Sequence, residues 1–174
     1  MERLKLAVPS VEHEKQVMAL RRELLERGEG FHGCNGLNEV ETYGEWLDFD
    51  RRNKAKGWVP SKTWLAVRQS DGRVVGMIDY RSPLTEHLFR YGGNIGYSTR
   101  PSDRRKGYGA EMLRLALEKC REAGEKRVLI TCDKDNTASA RTILANGGVL
   151  ENEVEDGAGL GGSGILQRYW ITLQ

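Results

Sequence analysis

Apolar positions along this chain alternate, then recur every three or four residues, then alternate again, and the switches between the two rhythms mark out its elements. Residues 3–8 suit a first strand, which Pro9 closes. Ser10 caps a helix to about residue 27, with Val17, Leu20 and Leu24 on one face and Gly28 at its end. Residues 30–37 are rich in glycine and asparagine and have no period. Thr42-x-x-Glu45 is a capping box that opens a second helix carrying Trp46, Leu47 and Phe49. Residues 62–68 and 74–81 read as strands joined at Asp71-Gly72, a hairpin signal. A polar connector over 81–93 leads to a strand at 94–99, closed by Pro101.

The next stretch predicts a long helix over about 104–121, with Tyr108, Met112, Leu115, Ala116 and Cys120 on one face. Ser102 and Asp103 are its candidate caps, and Gly124 sits past its end. The run Val128-Leu-Ile-Thr-Cys132 does not alternate, which predicts a strand covered on both faces beside parallel partners. Asn136 begins a short helix with Ala140, Ile143 and Leu144 inward, ended by Gly147. Residues 148–155 and 165–173 form a last hairpin across a glycine-rich loop. This order predicts an α/β (α+β) fold, a mixed twisted sheet with helices on both faces, in one domain over 1–174.

The turn between the strand at 94–99 and the long helix carries the first chemical signal. Gly107 and Gly109 remove side chains where backbone N–H groups have no helical partner. Each glycine costs about 1 kcal/mol against alanine in a helix, so two together call for a reason. Arg104, Arg105 and Lys106 place three cations where the helix dipole prefers anions. A diphosphate on those amides satisfies both facts. A dinucleotide fingerprint needs a third glycine where Met112 stands, and a Walker loop needs Gly-Lys-Ser/Thr, which is absent.

Composition narrows the function further. Of 174 residues, 39% are hydrophobic and 30% charged, and a net charge of +2 is too small to imply a nucleic-acid partner. A nucleic-acid reading of residues 104–106 predicts salt-dependent binding. Cys34, Cys120 and Cys132 have no paired spacing and read as reduced, buried thiols. His13, His32 and His87 have no ligand spacing, so no metal is expected. No signal peptide or apolar run of membrane length is present, so the expectation is a cytoplasmic protein with no membrane partner.

Arg104-Arg-Lys-Gly107-Tyr-Gly109 resembles the Gln/Arg-x-x-Gly-x-Gly/Ala signature of the GNAT superfamily of N-acetyltransferases. The resemblance implies a mostly antiparallel sheet of about six to seven strands. Residues 1–60 would form an acceptor-side helical half and 62–174 an acetyl-CoA-binding core. It implies an acyltransferase that moves acetyl from acetyl-CoA to a primary amine by direct attack in a ternary complex. The alternative is a catalytically silent acyl-CoA-binding module.

By the same resemblance, the amides of Arg104, Arg105, Lys106, Gly107, Tyr108 and Gly109 wrap the diphosphate, and the strand edge at Tyr97, Ser98 and Thr99 takes the pantetheine arm. Gly96 would be a bulge that opens this edge. An N–H near Tyr97 or Ser98 would meet the thioester oxygen. Asn136 and Ser139 would face the cofactor. The family's usual tyrosine seven residues after the asparagine is replaced by Ile143, which removes the expected acid for the departing thiolate. Asp79, Tyr80, His87, Asp133 and Glu151 are the candidates for general base. Four tryptophans suggest either core packing or an aromatic cage for a cationic amine. The acceptor stays open between a small molecule and a peptide, and the loop at 157–164 is open between a substrate lid and a homodimer contact.

Overall fold

The computed structural model describes residues 3–49, 59–159 and 162–173. Strand β1 (Leu4–Ala7) leads through a 3₁₀ turn at Val11–His13 to α1 (Glu14–Glu26) and α2 (Tyr43–Leu47). The Thr42 hydroxyl accepts from the Glu45 amide at 3.3 Å, the capping box read from sequence. Strands β2 (Ser61–Arg68), β3 (Val74–Arg81) and β4 (Ile95–Thr99) follow, then α3 (Tyr108–Glu122) and β5 (Arg127–Asp133). Helix α4 (Thr137–Ala145) precedes β6 (Val149–Glu155) and β7 (Ile165–Thr172).

The seven strands form two antiparallel sheets, ordered β1-β2-β3-β4 and β5-β7-β6. Among the described residues the expected parallel partner of residues 128–132 is not found: β5 pairs antiparallel with β7, Leu129 opposite Trp170. Its apolar run arises because both faces are covered. Val128, Ile130 and Cys132 join the core that also holds the inward face of α3, and Leu129 is fully buried between them.

Alternation along β2 and β3 divides the interior. Ala66 and Ile78 join Met112, Leu113 and Ala116 of α3 in one core. Leu65, Val67 and Met77 join Val17, Leu20 and Leu24 of α1, with Cys34, Leu37, Trp46 and Phe49, in the other. On α4 the expected inward set holds for Ile143, fully buried, but Leu144 is 54% exposed.

One residue ties the two sheets together. The buried Asn94 donates its amide to Leu129 O at 2.7 Å, accepts from the Leu129 amide at 2.8 Å through Oδ1, and donates Nδ2 to Arg81 O at 3.0 Å. Beyond this point β4 and β5 share no ladder bond among the described residues, and the edges part. Asn94→Ala leaves a buried N–H and a buried C=O without partners, an expected loss of about 2–4 kcal/mol. Chemical denaturation measures it; a midpoint equal to wild type would mean the junction does not depend on this side chain.

Helix α3 starts later than its sequence period suggests. Pro101–Asp103 forms a 3₁₀ turn, and Arg105 (φ 61°) and Gly107 (φ 79°) then take left-handed conformations before Tyr108. Ser102 and Asp103 do not cap it, because the buried Asp103 carboxylate turns to Arg68, Arg73 and Lys106.

Candidate active site

The left-handed turn before α3 leaves a run of backbone amides without protein partners: among the described residues, no protein acceptor meets the amides of residues 105–110. The carbonyls turn inward instead. Lys106 O accepts from Arg3 Nη1 at 2.8 Å, and Gly107 O accepts the Glu111 amide at 3.2 Å. Arg3 also pairs with Glu111 at 3.0 Å and lies over the ring of Tyr108, which is buried beneath the loop. Six free amides at a helix start are what an anionic group of a nucleotide cofactor needs, so the residues present fit the diphosphate of acetyl-CoA.

The cations are less loose than the sequence suggests. Arg104 forks onto Glu29, Nη1 to Oε1 at 2.9 Å with a second contact Nη2 to Oε2, and Nε reaches Thr99 O at 3.2 Å. That fork is the main reason the Glu29 carboxyl is held below its ordinary range. Lys106 Nζ lies 2.9 Å from Asp103 Oδ1. Arg105 is exposed. The site's anion preference therefore rests on amides and the helix terminus more than on unpaired charge.

The open edge of β4 follows from its ladder. Arg81 N donates to Asn94 O and Arg100 N to Val75 O, both at 2.7 Å. Hydrogen-bonded pairs alternate in an antiparallel ladder, so the main-chain groups of Gly96 and Ser98 turn to β3 and those of Ile95, Tyr97 and Thr99 turn to the gap beside β5. Tyr97 thus offers the free amide of the expected pair, and Ser98 does not. The Ser98 hydroxyl is also engaged, donating to His32 O at 2.6 Å. Gly96 pairs in register with Asp79 and is not a bulge. Its missing side chain instead leaves room for Gly33, Asp79 and Arg81 to converge.

A cavity of about 950 Å³ opens through the gap. Tyr97, Asn136, Ser139 and Cys132 line it on the α4 side; the Tyr97 hydroxyl meets Ser139 Oγ at 2.8 Å, and Asn136 Oδ1 caps the Ser139 amide at 3.1 Å. Burial raises the Tyr97 phenol above its ordinary range and pushes the Cys132 thiol up to about 11.

Of the candidate bases, Asp79, His87 and Asp133 line the cavity. Asp79 is 5% exposed, and its Oδ1 accepts from the Gly96 amide at 3.2 Å. The Asp133 carboxylate is occupied by the Ser163 amide and hydroxyl, each at 2.9 Å, and by the Asp135 amide at 2.8 Å, so it pins a loop. Tyr80 and Glu151 lie outside the cavity lining: Tyr80 donates to Glu125, and Glu151 pairs with Arg168.

Sequence reasoning missed His32, Asn35, Arg81 and Tyr91, which also line the cavity. His32 is exposed at the cavity mouth, but the protein against its ring partly desolvates it and Arg81 repels its charged form. Both hold its pKa below the ordinary imidazole value, with Asp79 pulling the other way. No aromatic cage forms from the described tryptophans. Trp46 donates to Cys34 O at 2.9 Å, Trp64 packs on the main core, and Trp170 lies under Arg127 at 4.2 Å; Trp58 falls outside the described residues. All three cysteines are buried and free. Among the described residues no metal-binding cluster occurs, and no helix is long and apolar enough to cross a membrane.

No curated protein sequence matches this chain significantly. Solved structures share its fold over nearly the whole length. The ribosomal-protein-S5-alanine acetyltransferase of Vibrio fischeri superposes with a TM-score of 0.71 at 13% identity, covering 100% of this chain and 95% of its own. An acetyltransferase of Salmonella typhimurium that modifies the N-terminal serine of ribosomal protein L7/L12 gives 0.69 at 17%, covering 100% and 97%. The microcin C7 self-immunity acetyltransferase MccE, in complex with acetyl-CoA and AMP, gives 0.70 at 17%, covering 99% and 93%. The family model of the acetyltransferase (GNAT) domain matches residues 3–149, so the chain belongs to the GNAT acetyltransferases and is an acyltransferase with acetyl-CoA as its co-substrate.

Proposed function

We propose that the enzyme acetylates the α-amine of a polypeptide N-terminus by direct attack in a ternary complex, with residues 1–60 forming the acceptor side of a single domain. The observation that carries this is a single cavity whose walls hold the open edge of β4, with Asp79 and His32 on its own side of the gap and Ser139 across it. Donor and acceptor can share this space, so the acetyl group needs no covalent way station. Cys132 is a poor carrier in any case, because a thiol with a pKa of about 11 stays protonated at neutral pH.

In this reading the amides of residues 105–109 hold the diphosphate, the edge from Tyr97 to Thr99 aligns the pantetheine arm, and the Tyr97 amide meets the thioester oxygen as charge develops. Asn136 and Ser139 line the cofactor side. Asp79 orients the amine, and neutral His32 accepts its proton. Ile143 is buried and supplies no acid, but a thiol with a pKa near about 8.5 leaves tolerably as thiolate.

The α-amine fits the basicity of the site. With a pKa of about 7.7–8.0, roughly a third of it is neutral near pH 7.5, against about 0.1% of a lysine side chain. A site whose imidazole titrates below its ordinary value suits the first and not the second. The ribosomal-protein acetyltransferases among the structural neighbours support a peptide acceptor.

The test is CoA release from acetyl-CoA with two versions of one peptide, one with a free N-terminus and one blocked there but bearing lysine. Release with the free N-terminus, at least about a hundredfold faster, is expected. The rate should fall as pH drops through the His32 pKa, below 6.5, because only the neutral ring accepts a proton, and His32→Gln should lose that limb. Equal rates for the two peptides would reject the α-amine. Tight CoA binding with no release from any amine would mark a silent binding module.

A further inference from the structure

Arg81 closes β3 and lines the acceptor side of the cavity. Its Nη2 donates to Gly92 O at 3.0 Å, but its Nε is buried with no hydrogen-bond partner. The nearest carboxylate oxygen, Asp79 Oδ1, stands 3.8 Å away, beyond hydrogen-bond reach. A buried, unpaired guanidinium N–H is costly and calls for an explanation. Two other described side chains have such atoms, Thr63 Oγ1 and Arg168 Nε, and neither lines this cavity.

The surroundings say what the missing partner is. Met77, Asp79 and Arg81 alternate onto the β3 face that packs against the loop at 30–37, the acceptor side and not the α4 side. Asp79 and Arg81 therefore present one negative and one positive group side by side in the cavity. Gly96 keeps that spot open, since a Cβ there would lie 3.2 Å from Asp79 Oδ1 and 3.3 Å from Arg81 Nη2.

We infer that Arg81 is a specificity-determining residue: its Nε–H takes the carbonyl or carboxylate oxygen attached to the amine-bearing carbon of the acceptor, while Asp79 faces the amine. The enzyme thus selects α-amino acid units over simple amines, in free amino acids or at peptide N-termini. This rests on the amine-acetylation reading above and adds the acceptor's second point of attachment.

The test uses acetylated products, whose nitrogen carries no charge, so amine basicity plays no part. Binding of the N-acetyl amides of alanine, serine and methionine is compared with binding of N-butylacetamide, all with CoA present. At least one amide should bind about tenfold or more tightly, and Arg81→Gln should abolish that preference while leaving CoA affinity unchanged. In wild-type enzyme the Arg81 Nε–H resonance should move downfield and exchange more slowly when such an amide is added, and not when acetyl-CoA is added alone. The corresponding N-acetyl amino acids with a free carboxylate separate the two sources of oxygen, binding tighter than the amides if free amino acids are the acceptors. A resonance that responds to acetyl-CoA alone would assign the group to the thioester oxygen and overturn the inference. So would CoA binding in which no amide outbinds N-butylacetamide. Failure of CoA itself to bind would instead strike the reading on which the inference rests.

Discussion

Gly107→Val should bind CoA at least tenfold more weakly than the wild-type enzyme, a loss of more than about 1.4 kcal/mol. Gly107 holds φ 79° as the residue before α3, a conformation that costs an L-residue roughly 1–2 kcal/mol and a β-branched one no less. Added atoms also meet Arg3, whose Nη2 lies 3.2 Å from the new Cβ and whose Nη1 holds Lys106 O inward. Relaxing either strain rotates the neighbouring peptides, and their amides no longer converge on one anion. Calorimetric titration with CoA reads the effect. Arg104→Ala should lose less, because it leaves the amides in place and frees Glu29 rather than the loop. A folded Gly107→Val protein with wild-type affinity would show that the diphosphate sits elsewhere.

Gly33→Ala should cost about a hundredfold in kcat/KM while CoA affinity stays within about threefold. A Cβ at Gly33 (φ 70°) would fall 2.2 Å from Gly96 O, 2.4 Å from Gly96 C and 2.6 Å from Tyr97 Cα. All three are backbone atoms of β4, so no side chain can swing away and the loop itself must lift. Lifting it stretches the Ser98–His32 contact of 2.6 Å and displaces His32 from the cavity wall. The phosphate loop is not touched, which separates this effect from general unfolding. Gly44→Ala, where nothing lies within 4 Å of the new Cβ, is the matched control and should be silent. Equal losses of CoA binding and turnover in Gly33→Ala would mean the loop serves the fold and not the acceptor.

Elements whose period is set by a single face were legible in the sequence. The α1 face of Val17, Leu20 and Leu24, the α3 face of Met112, Leu115 and Ala116, and the Thr42 capping box all depend on neighbours within a few residues. The parallel partner expected for 128–132 failed because a continuous apolar run reports cover on both faces and is silent on strand direction. The start of α3 failed because the polar stretch before Tyr108 fits the helical period just as well as a left-handed turn does.

The candidate site divides in the same way. The phosphate loop was legible because its glycines and amides are contiguous. The pairing of Arg104 with Glu29 was not, since the two stand 75 residues apart and only the fold brings them together. His32 lies in a glycine- and asparagine-rich stretch without periodicity, and its position comes from Gly33 fitting against Gly96, a contact no local pattern encodes. Arg81 read as the polar end of a strand, where an arginine needs no explanation. Only its buried, unpartnered Nε singles it out.

The most direct measurement is a CoA titration of the isotopically labelled enzyme, following backbone amide resonances. The amides of residues 105–109 should show the largest downfield shifts and become protected from exchange, and removing the diphosphate by using pantetheine should leave them unmoved. If CoA binds and those resonances stay where they were while others shift, the helix start does not hold the diphosphate, and this account of the site is wrong.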